Sequence, residues 1–190
     1  GYTCPMPVTK HSPALEYSPF LRQLVARHPD WLDQLQTGNR LDNSSVPGAE
    51  GLTRLIEGAG LDPALRQFRN REMMRLIWRD LNKLAPVDEI LADLSVLADI
   101  CLQAAIQHHS AKLEEKHGVP RGPDGEAQKL VVIGLGKLGG GELNLSSDID
   151  IIFCFPDNGV CDGRRGLANE QFFTRLARQV IRSLSEITGD

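Results

Sequence analysis

Two acidic residues, Asp148 and Asp150, open a short apolar segment that reads S-S-D-I-D-I-I-F. Residues i and i+2 of an extended strand project to the same side, so these two carboxylates lie together, with α-carbons about 6.6 Å apart. Paired carboxylates hold the divalent ions that clamp the attacking and leaving oxygens during phosphoryl displacement. Mg²⁺ (or Mn²⁺) suits oxygen ligands and nucleotide phosphates. The spacing therefore predicts Asp148 and Asp150 as catalytic, metal-binding residues.

A glycine-rich turn, G-L-G-K-L-G-G-G, precedes the aspartates and follows an apolar segment that predicts a strand over Leu130–Leu135. Glycine at this point lets backbone amides approach a phosphate closely, and Lys137 adds positive charge. The two serines before Asp148 either cap the turn or donate hydrogen bonds to phosphate oxygens. The residues expected to bind nucleotide or phosphate are Gly136, Lys137, Gly139, Ser146 and Ser147.

The same glycines match the dinucleotide-binding fingerprint G-x-G-x-x-G, which is an alternative interpretation. Its parallel crossover needs a dozen or more residues, mostly helical, whereas eight residues separate Gly139 from Asp148. A ribose-binding carboxylate also belongs at the far end of the second strand, and Asp148 opens that strand. No G-K-[ST] of a Walker phosphate loop is present. D-x-D alone is a common surface pattern, but the combination of strand, glycine turn and second strand favours nucleotidyl transfer.

The first half of the chain has helical periodicity and must position this turn. The predicted helices begin near Tyr17, after Pro29, and at Leu52, Pro63 and Glu89, and the last two end near Leu84 and Lys116. Trp31 and Trp78 are expected in the core. Arg71, Arg75 and Arg79 recur at helical spacing; a solvated helix face is favoured over a surface for nucleotide or partner.

In the second half of the chain the predicted secondary structure changes from helices to strands, after a loop rich in glycine and proline. Strands are predicted over Leu130–Leu135 and Asp148–Phe155, a loop over Asp157–Gly166 and an amphipathic helix over Leu167–Thr188. We therefore expect an α+β, mostly helical fold, with a helical subdomain (1–118), a linker loop (119–129) and a small sheet domain (130–190). The sequence stops at Thr188-Gly189-Asp190, where a third strand would begin, which predicts an incomplete sheet and a fragment.

The bulk composition excludes several classes of protein. The 190 residues carry a net charge of -4, with 41% apolar and 24% charged residues, as in ordinary globular domains. There is no overall basic field for nucleic acid, no apolar stretch of membrane-spanning length and no secretory signal pattern. Four cysteines without a C-x-x-C pair indicate a reducing, cytoplasmic setting and no disulfides.

These motifs resemble the nucleotidyltransferase superfamily, in which a glycine-serine turn is followed by D-x-D and by a third carboxylate on a later strand. Lys137 stands where that serine usually lies. The stretch GLGKLGGGELNLSSDIDIIF is more narrowly similar to the glutamine synthetase adenylyltransferase/adenylyl-removing family. Supporting matches are RHPDWLDQL, FRNREMMRLIW and FFTRLARQVIRSL, so the resemblance covers most of the chain from Phe20 onward.

The resemblance implies a nucleotidyltransferase-type sheet and one of two related catalytic domains. One transfers AMP from ATP to a tyrosine of glutamine synthetase, and the other removes it by phosphorolysis and releases ADP. The G-G-G-E-L-N form is more like the adenylyl-removing copy. Implied partners are glutamine synthetase and the PII signal protein. The third carboxylate has no match here, so this piece alone is expected to be inactive or nearly so. The alternatives are the adenylylating copy, or a non-catalytic fragment that binds glutamine synthetase or PII.

Overall fold

The computed structural model describes residues 12–44, 48–164 and 166–188. Gly189 and Asp190, where the sequence predicts the start of a third strand, lie outside the described residues. The helices are α1 (Pro13–Tyr17), α2 (Pro19–Arg27), α3 (Pro29–Thr37), α4 (Ala49–Ala59), α5 (Leu61–Leu81), α6 (Val87–His117), α7 (Gly136–Gly139) and α8 (Asn169–Thr188). The strands are β1 (Pro120–Arg121), β2 (Val131–Gly134), β3 (Ile151–Cys154) and β4 (Val160–Cys161). The prediction of a mostly helical α+β fold is confirmed.

Serine and proline mark where the first helices begin. Ser12 and Ser18 precede prolines at the first helical positions of α1 and α2, and their hydroxyl oxygens accept hydrogen bonds from the amides of Ala14 and Leu21. A capping hydroxyl satisfies an amide that has no partner inside the helix, and proline is preset for the first turn. Pro29 likewise begins α3, directly after His28, where α2 ends.

Helix α5 runs through the middle of the helical part and contacts α1, α2, α3, α4, α6 and α8. It is therefore buried on most of its surface, including Met74 and Leu76, which are fully enclosed. Trp78 on α5 and Trp31 on α3 are also buried, as the sequence predicts. The last helix, α8, packs on α6 and α5, so the chain returns to the helical core after its strands. None of the described helices is long and apolar enough to cross a membrane.

The prediction that Arg71, Arg75 and Arg79 form a solvated helix face is wrong for Arg75 and Arg79, which are buried. Arg75 and Arg79 on α5 have exposures of 0% and 2%. Arg75 lies between two carboxylates: its Nε is 2.8 Å from Glu72 Oε2 and its Nη2 is 2.7 Å from Asp93 Oδ2 on α6. Arg79 contacts Glu89, also on α6. Charge can be buried here because each guanidinium meets a carboxylate within hydrogen-bonding distance.

Within the described residues, the strands form two small antiparallel sheets. Strand β2 pairs with β3 in the register Val131↔Cys154 to Gly134↔Ile151. Strand β1 lies within the predicted linker 119–129 and pairs with β4 near the start of α8. The division of the chain into 1–118, 119–129 and 130–190 stays a prediction.

Candidate functional site

The antiparallel pairing of β2 and β3 decides between the two interpretations of the glycines. The dinucleotide-binding fold joins its first two strands in parallel through a crossover helix. Here the connection between β2 and β3 runs through the short helix α7 and a loop, and returns the chain antiparallel to its first strand. The glycine turn therefore belongs to a hairpin-like unit, and the dinucleotide interpretation is excluded.

The two aspartates lie immediately before β3 rather than inside it. Asp148, Asp150 and Ile152 are exposed, whereas Ile149 and Ile151 between them are half-buried and pack against the core. This alternation is that of extended backbone with one face to solvent. The amide of Leu135 donates to the carbonyl of Asp150 at 2.8 Å, so the ladder continues one step past the strands. The chain thus presents Asp150 at the mouth of the sheet, beside the glycine turn.

Gly136 forms the sharp bend at the end of β2. Its φ of +53° lies in the left-handed region, which side-chain-bearing residues rarely adopt. The Oδ2 atom of Asp150 lies 3.9 Å from the point where a β-carbon on Gly136 would stand. The bend and the carboxylate therefore face one shared space, which is what a site for phosphate and metal requires.

Gly139 is needed for close packing against the end of β2. A β-carbon there would lie 2.5 Å from the carbonyl oxygen of Gly134. Its amide donates to the carbonyl of Leu135 at 3.1 Å, and the next amides along the turn are also bonded to backbone carbonyls. These contacts account for a glycine without a phosphate, and the phosphate-binding role of Gly139 stays a prediction.

The amides at the beginning of α7 have a different environment. Within the described part of the chain, the amides of Gly136, Lys137 and Leu138 donate no hydrogen bond. The first amides of a helix have no partner within it and are available to an anion. The phosphate-binding role of Gly136 and Lys137 stays a prediction.

The serines before Asp148 are held by Asn144, which the sequence analysis did not single out. Its Oδ1 accepts hydrogen bonds from the Ser146 amide at 3.2 Å and from the Ser147 hydroxyl at 2.5 Å. Lys137 Nζ lies 3.4 Å from Ser147 Oγ and so reaches from α7 to this loop. Asparagine commonly bonds the backbone two residues on, and that local signal in N-L-S-S was available from the sequence.

The donor set suits a hard divalent cation. Among the described residues, neither Asp148 nor Asp150 forms a salt bridge, and both are exposed. Two carboxylates supply oxygen ligands for Mg²⁺ or Mn²⁺ and leave positions for nucleotide oxygens and water. No group of three or more His, Cys, Asp or Glu residues in the described ranges is arranged to hold a metal. The two carboxylates alone would therefore supply only part of the coordination shell of such an ion, and their metal-binding role stays a prediction.

A cavity of about 340 Å³ lies between the loop that carries Asp148 and helices α5, α6 and α8. Its lining includes Leu143, Asn144, Ser147 and Asp148 on the loop side, and apolar side chains such as Leu97 on the helix side. The loop is therefore not packed against the core along its whole length.

Comparison with known proteins identifies the family. The family model for glutamate-ammonia ligase adenylyltransferase matches residues 9–190. The chain belongs to this adenylyltransferase family. Chains named bifunctional glutamine synthetase adenylyltransferase/adenylyl-removing enzyme are similar to it: that of Thioalkalivibrio sulfidiphilus is 41% identical over 179 residues, and that of Pseudomonas aeruginosa is 41% identical over 181. Each alignment covers 91% of this chain and 18% of the relative.

A third relative gives a higher identity over a shorter stretch. The enzyme of the same name from Xanthomonas campestris pv. campestris is 46% identical over 138 residues, which is 68% of this chain and 15% of the relative. The resemblance read from the glycine turn and the D-x-D motif is thereby confirmed at the level of the family. This adenylyltransferase-family chain spans about a fifth of the length of the relatives it matches.

Proposed function

We propose that this chain supplies the glycine turn and two metal-binding carboxylates of a nucleotidyl-transfer site that removes AMP from adenylylated glutamine synthetase. The observation that carries the proposal is the placement of Asp150 Oδ2 at 3.9 Å from the β-carbon position of Gly136. Carboxylates and phosphate-binding amides must face the same space for metal-assisted phosphoryl chemistry. The names of the relatives give glutamine synthetase as the protein acted on.

Each residue has a defined task in this reaction. Asp148 and Asp150 hold Mg²⁺ or Mn²⁺, which when bound neutralises charge on the reacting phosphate oxygens. The amides of Gly136 and Lys137, with the Lys137 ammonium, seat inorganic phosphate at the bend. An oxygen of hydrogen phosphate attacks the phosphorus of the tyrosyl-AMP diester, and the bond from phosphorus to the tyrosine oxygen breaks. The phosphate proton passes to that oxygen, so the products are ADP and the unmodified tyrosine side chain of glutamine synthetase. Positioning and charge neutralisation supply most of the rate.

The direction of reaction rests on the G-G-G-E-L-N form of the turn, Gly139–Asn144, which is more like the adenylyl-removing copy of the family.

We also propose a cytoplasmic location, because Cys101, Cys154 and Cys161 are free thiols among the described residues. PII binding stays a prediction of the resemblance.

Release of ADP is the decisive measurement of the reaction. The test protein is a polypeptide as long as the relatives that contains this chain as one of its segments. It is incubated with adenylylated glutamine synthetase, phosphate and Mg²⁺. We expect ADP to appear, and Asp148→Asn with Asp150→Asn to abolish it. Transfer of AMP from ATP, lost in the same variant, would assign this chain to the adenylylating reaction instead.

Metal binding is tested on the 190-residue chain itself. Calorimetry with Mn²⁺ and ADP is expected to give a heat that disappears in Asp148→Asn with Asp150→Asn. Asp124→Asn with Asp157→Asn removes the same charge at two exposed positions elsewhere and is expected to bind as the unchanged chain does. No heat in any of the three proteins would favour a non-catalytic fragment that binds glutamine synthetase.

A further inference from the structure

The loop between α7 and β3 carries Asp148 and contacts the core through Leu143, which is buried, and through Ile149, which is half-buried. Leu143 is 6% exposed, whereas Gly141, Glu142 and Leu145 around it are exposed. The amide of Leu143 donates a hydrogen bond of 3.1 Å to the hydroxyl of Ser95 on α6. The cavity described above begins beside this contact. Leu143 is therefore the most deeply buried contact of this loop with the core.

Ser95 is chemically suited to this contact. Its hydroxyl donates to the carbonyl of Leu91 at 2.9 Å, one turn back along α6, and its remaining lone pairs accept the Leu143 amide. Because Ser95 and Leu143 are 6% exposed, water does not replace the bond easily. Alanine at position 95 would leave a buried backbone amide without a partner, which proteins avoid.

Helix α6 itself is held in a fixed position along α5. Arg75 meets Asp93, and one turn further along α5 Arg79 meets Glu89, one turn back along α6. Two charge-assisted contacts at successive turns resist sliding of one helix past the other, because a shift by a residue would leave buried charges unpaired. Ser95 lies two residues beyond Asp93, so its place is set by the same contacts.

We propose that Ser95 is a positioning residue for the reaction. Its hydroxyl fixes Leu143, and through the four residues between Leu143 and Asp148 it sets where Asp148 lies relative to Asp150 at the Gly136 bend. The contact joins residues 48 positions apart in sequence, and connects the helical part to the carboxylates. The role in the reaction rests on the proposed function; the anchoring of the loop does not.

Two measurements on the 190-residue chain test the proposal. The first is hydrogen exchange of the Leu143 amide and of amides in α5, followed by NMR. The second is the dissociation constant for Mn²⁺, followed by electron paramagnetic resonance. In Ser95→Ala we expect the exchange rate of the Leu143 amide to rise at least about tenfold, and the exchange rates of α5 amides to change much less. We expect the dissociation constant for Mn²⁺ to rise about tenfold. Both changes correspond to the loss of a buried hydrogen bond of about 1.4 kcal/mol. Ser95→Thr keeps the hydroxyl and is expected to restore both values in part.

Ser110→Ala is the matched control. Ser110 also lies on α6, but its hydroxyl bonds Glu114 on the same helix, so this variant is expected to leave both readouts unchanged. Faster Leu143 exchange with unaltered Mn²⁺ affinity would show Ser95 to be merely structural and would overturn the proposal. Unaltered exchange would overturn it as well. If the unsubstituted chain binds no Mn²⁺, the proposed function fails, and exchange at Leu143 alone decides whether Ser95 anchors the loop.

Discussion

Asp150 and Gly136 face one another across the end of a two-stranded ladder, with the aspartate Oδ2 atom 3.9 Å from the β-carbon position of the glycine. The ladder extends to this point because the Leu135 amide bonds the Asp150 carbonyl. The position of the Asp150 carboxylate therefore depends on the backbone of the bend, so a substitution that moves the bend also moves the carboxylate.

Gly136→Ala tests that dependence. Alanine at φ +53° is strained by about 1–2 kcal/mol, and relief of the strain moves the bend away from Asp150. A misplacement of about 1 Å in such a site reduces the rate about 100-fold. We expect the rate of ADP release to fall by this order, with a small decrease in the free energy of unfolding measured in urea.

Gly58→Ala in α4 is the control, since a β-carbon there meets nothing within 4 Å, and it is expected to leave activity unchanged. Equal activity of the two variants would contradict the role of the bend.

Neutralising both carboxylates is expected to separate stability from metal binding. Asp148 and Asp150 are exposed and like-charged, so Asp148→Asn with Asp150→Asn removes repulsion and leaves the melting temperature unchanged or slightly raised without metal. With Mg²⁺ at one hundred times its dissociation constant, the unsubstituted chain gains about 2.7 kcal/mol and the variant gains nothing. Differential scanning calorimetry with and without Mg²⁺ measures both effects. A variant that melts well below the unsubstituted chain in both conditions would show that the aspartates are structural.

Arg75 is expected to be essential for the stability of the helical core. Arg75→Met leaves Asp93 buried without its cation, whereas Glu72 keeps its ion pair with Arg40. Loss of one partner of a buried pair costs about 3–5 kcal/mol. That is a large part of the 5–15 kcal/mol typical of a domain. The free energy of unfolding in urea measures it. Arg121→Met removes an ion pair with a similar distance, 2.9 Å to Asp162, but on the surface, and is expected to change stability little. Similar losses for both arginines would contradict the burial argument.

The exposed placement of the D-x-D motif and the main helices and strands could be predicted from the sequence because their signals are local. The alternation of Asp148, Ile149, Asp150 and Ile151 marks one exposed and one packed face. The glycines mark a bend whose backbone conformation residues with a side chain rarely adopt. β3 is shorter than predicted, Ile151–Cys154 rather than Asp148–Phe155, because the alternating pattern begins at Asp148, two residues before the ladder bond at Asp150.

The contacts that position the motif were not readable, because each joins distant parts of the chain. Arginine at helical spacing has the same pattern whether it faces water or a carboxylate on a neighbouring helix, and only Asp93 and Glu89 on α6 decide the outcome for Arg75 and Arg79. Ser95 has no local feature that distinguishes it from other helical serines. Its importance follows from Leu143, which approaches it only in the folded chain.

The contact between α6 and α8 at His109 is expected to make stability depend on pH. His109 Nε2 lies 3.0 Å from Ser183 Oγ on α8, and Ser183 is 3% exposed. Burial lowers the pKa of His109 below its ordinary value, with smaller contributions from the neighbouring His108 and from Lys112, and Asp62 opposes the shift. Burial and Lys112 also lower the pKa of His108, which Asp62 again opposes.

The sign of the effect follows from proton uptake. The unfolded chain binds a proton at these histidines near their ordinary pKa of about 6.5, whereas the folded chain resists protonation to lower pH. Stability is therefore fully present above that value and falls as the pH drops below it. Urea unfolding between pH 8 and 5 is expected to show this fall, and His108→Gln with His109→Gln is expected to reduce it. Ser183→Ala removes the hydrogen bond without removing a titrating group, so it is expected to lower stability while the histidine-dependent fall persists. If the double histidine variant keeps the full pH dependence, the fall originates in groups other than these two.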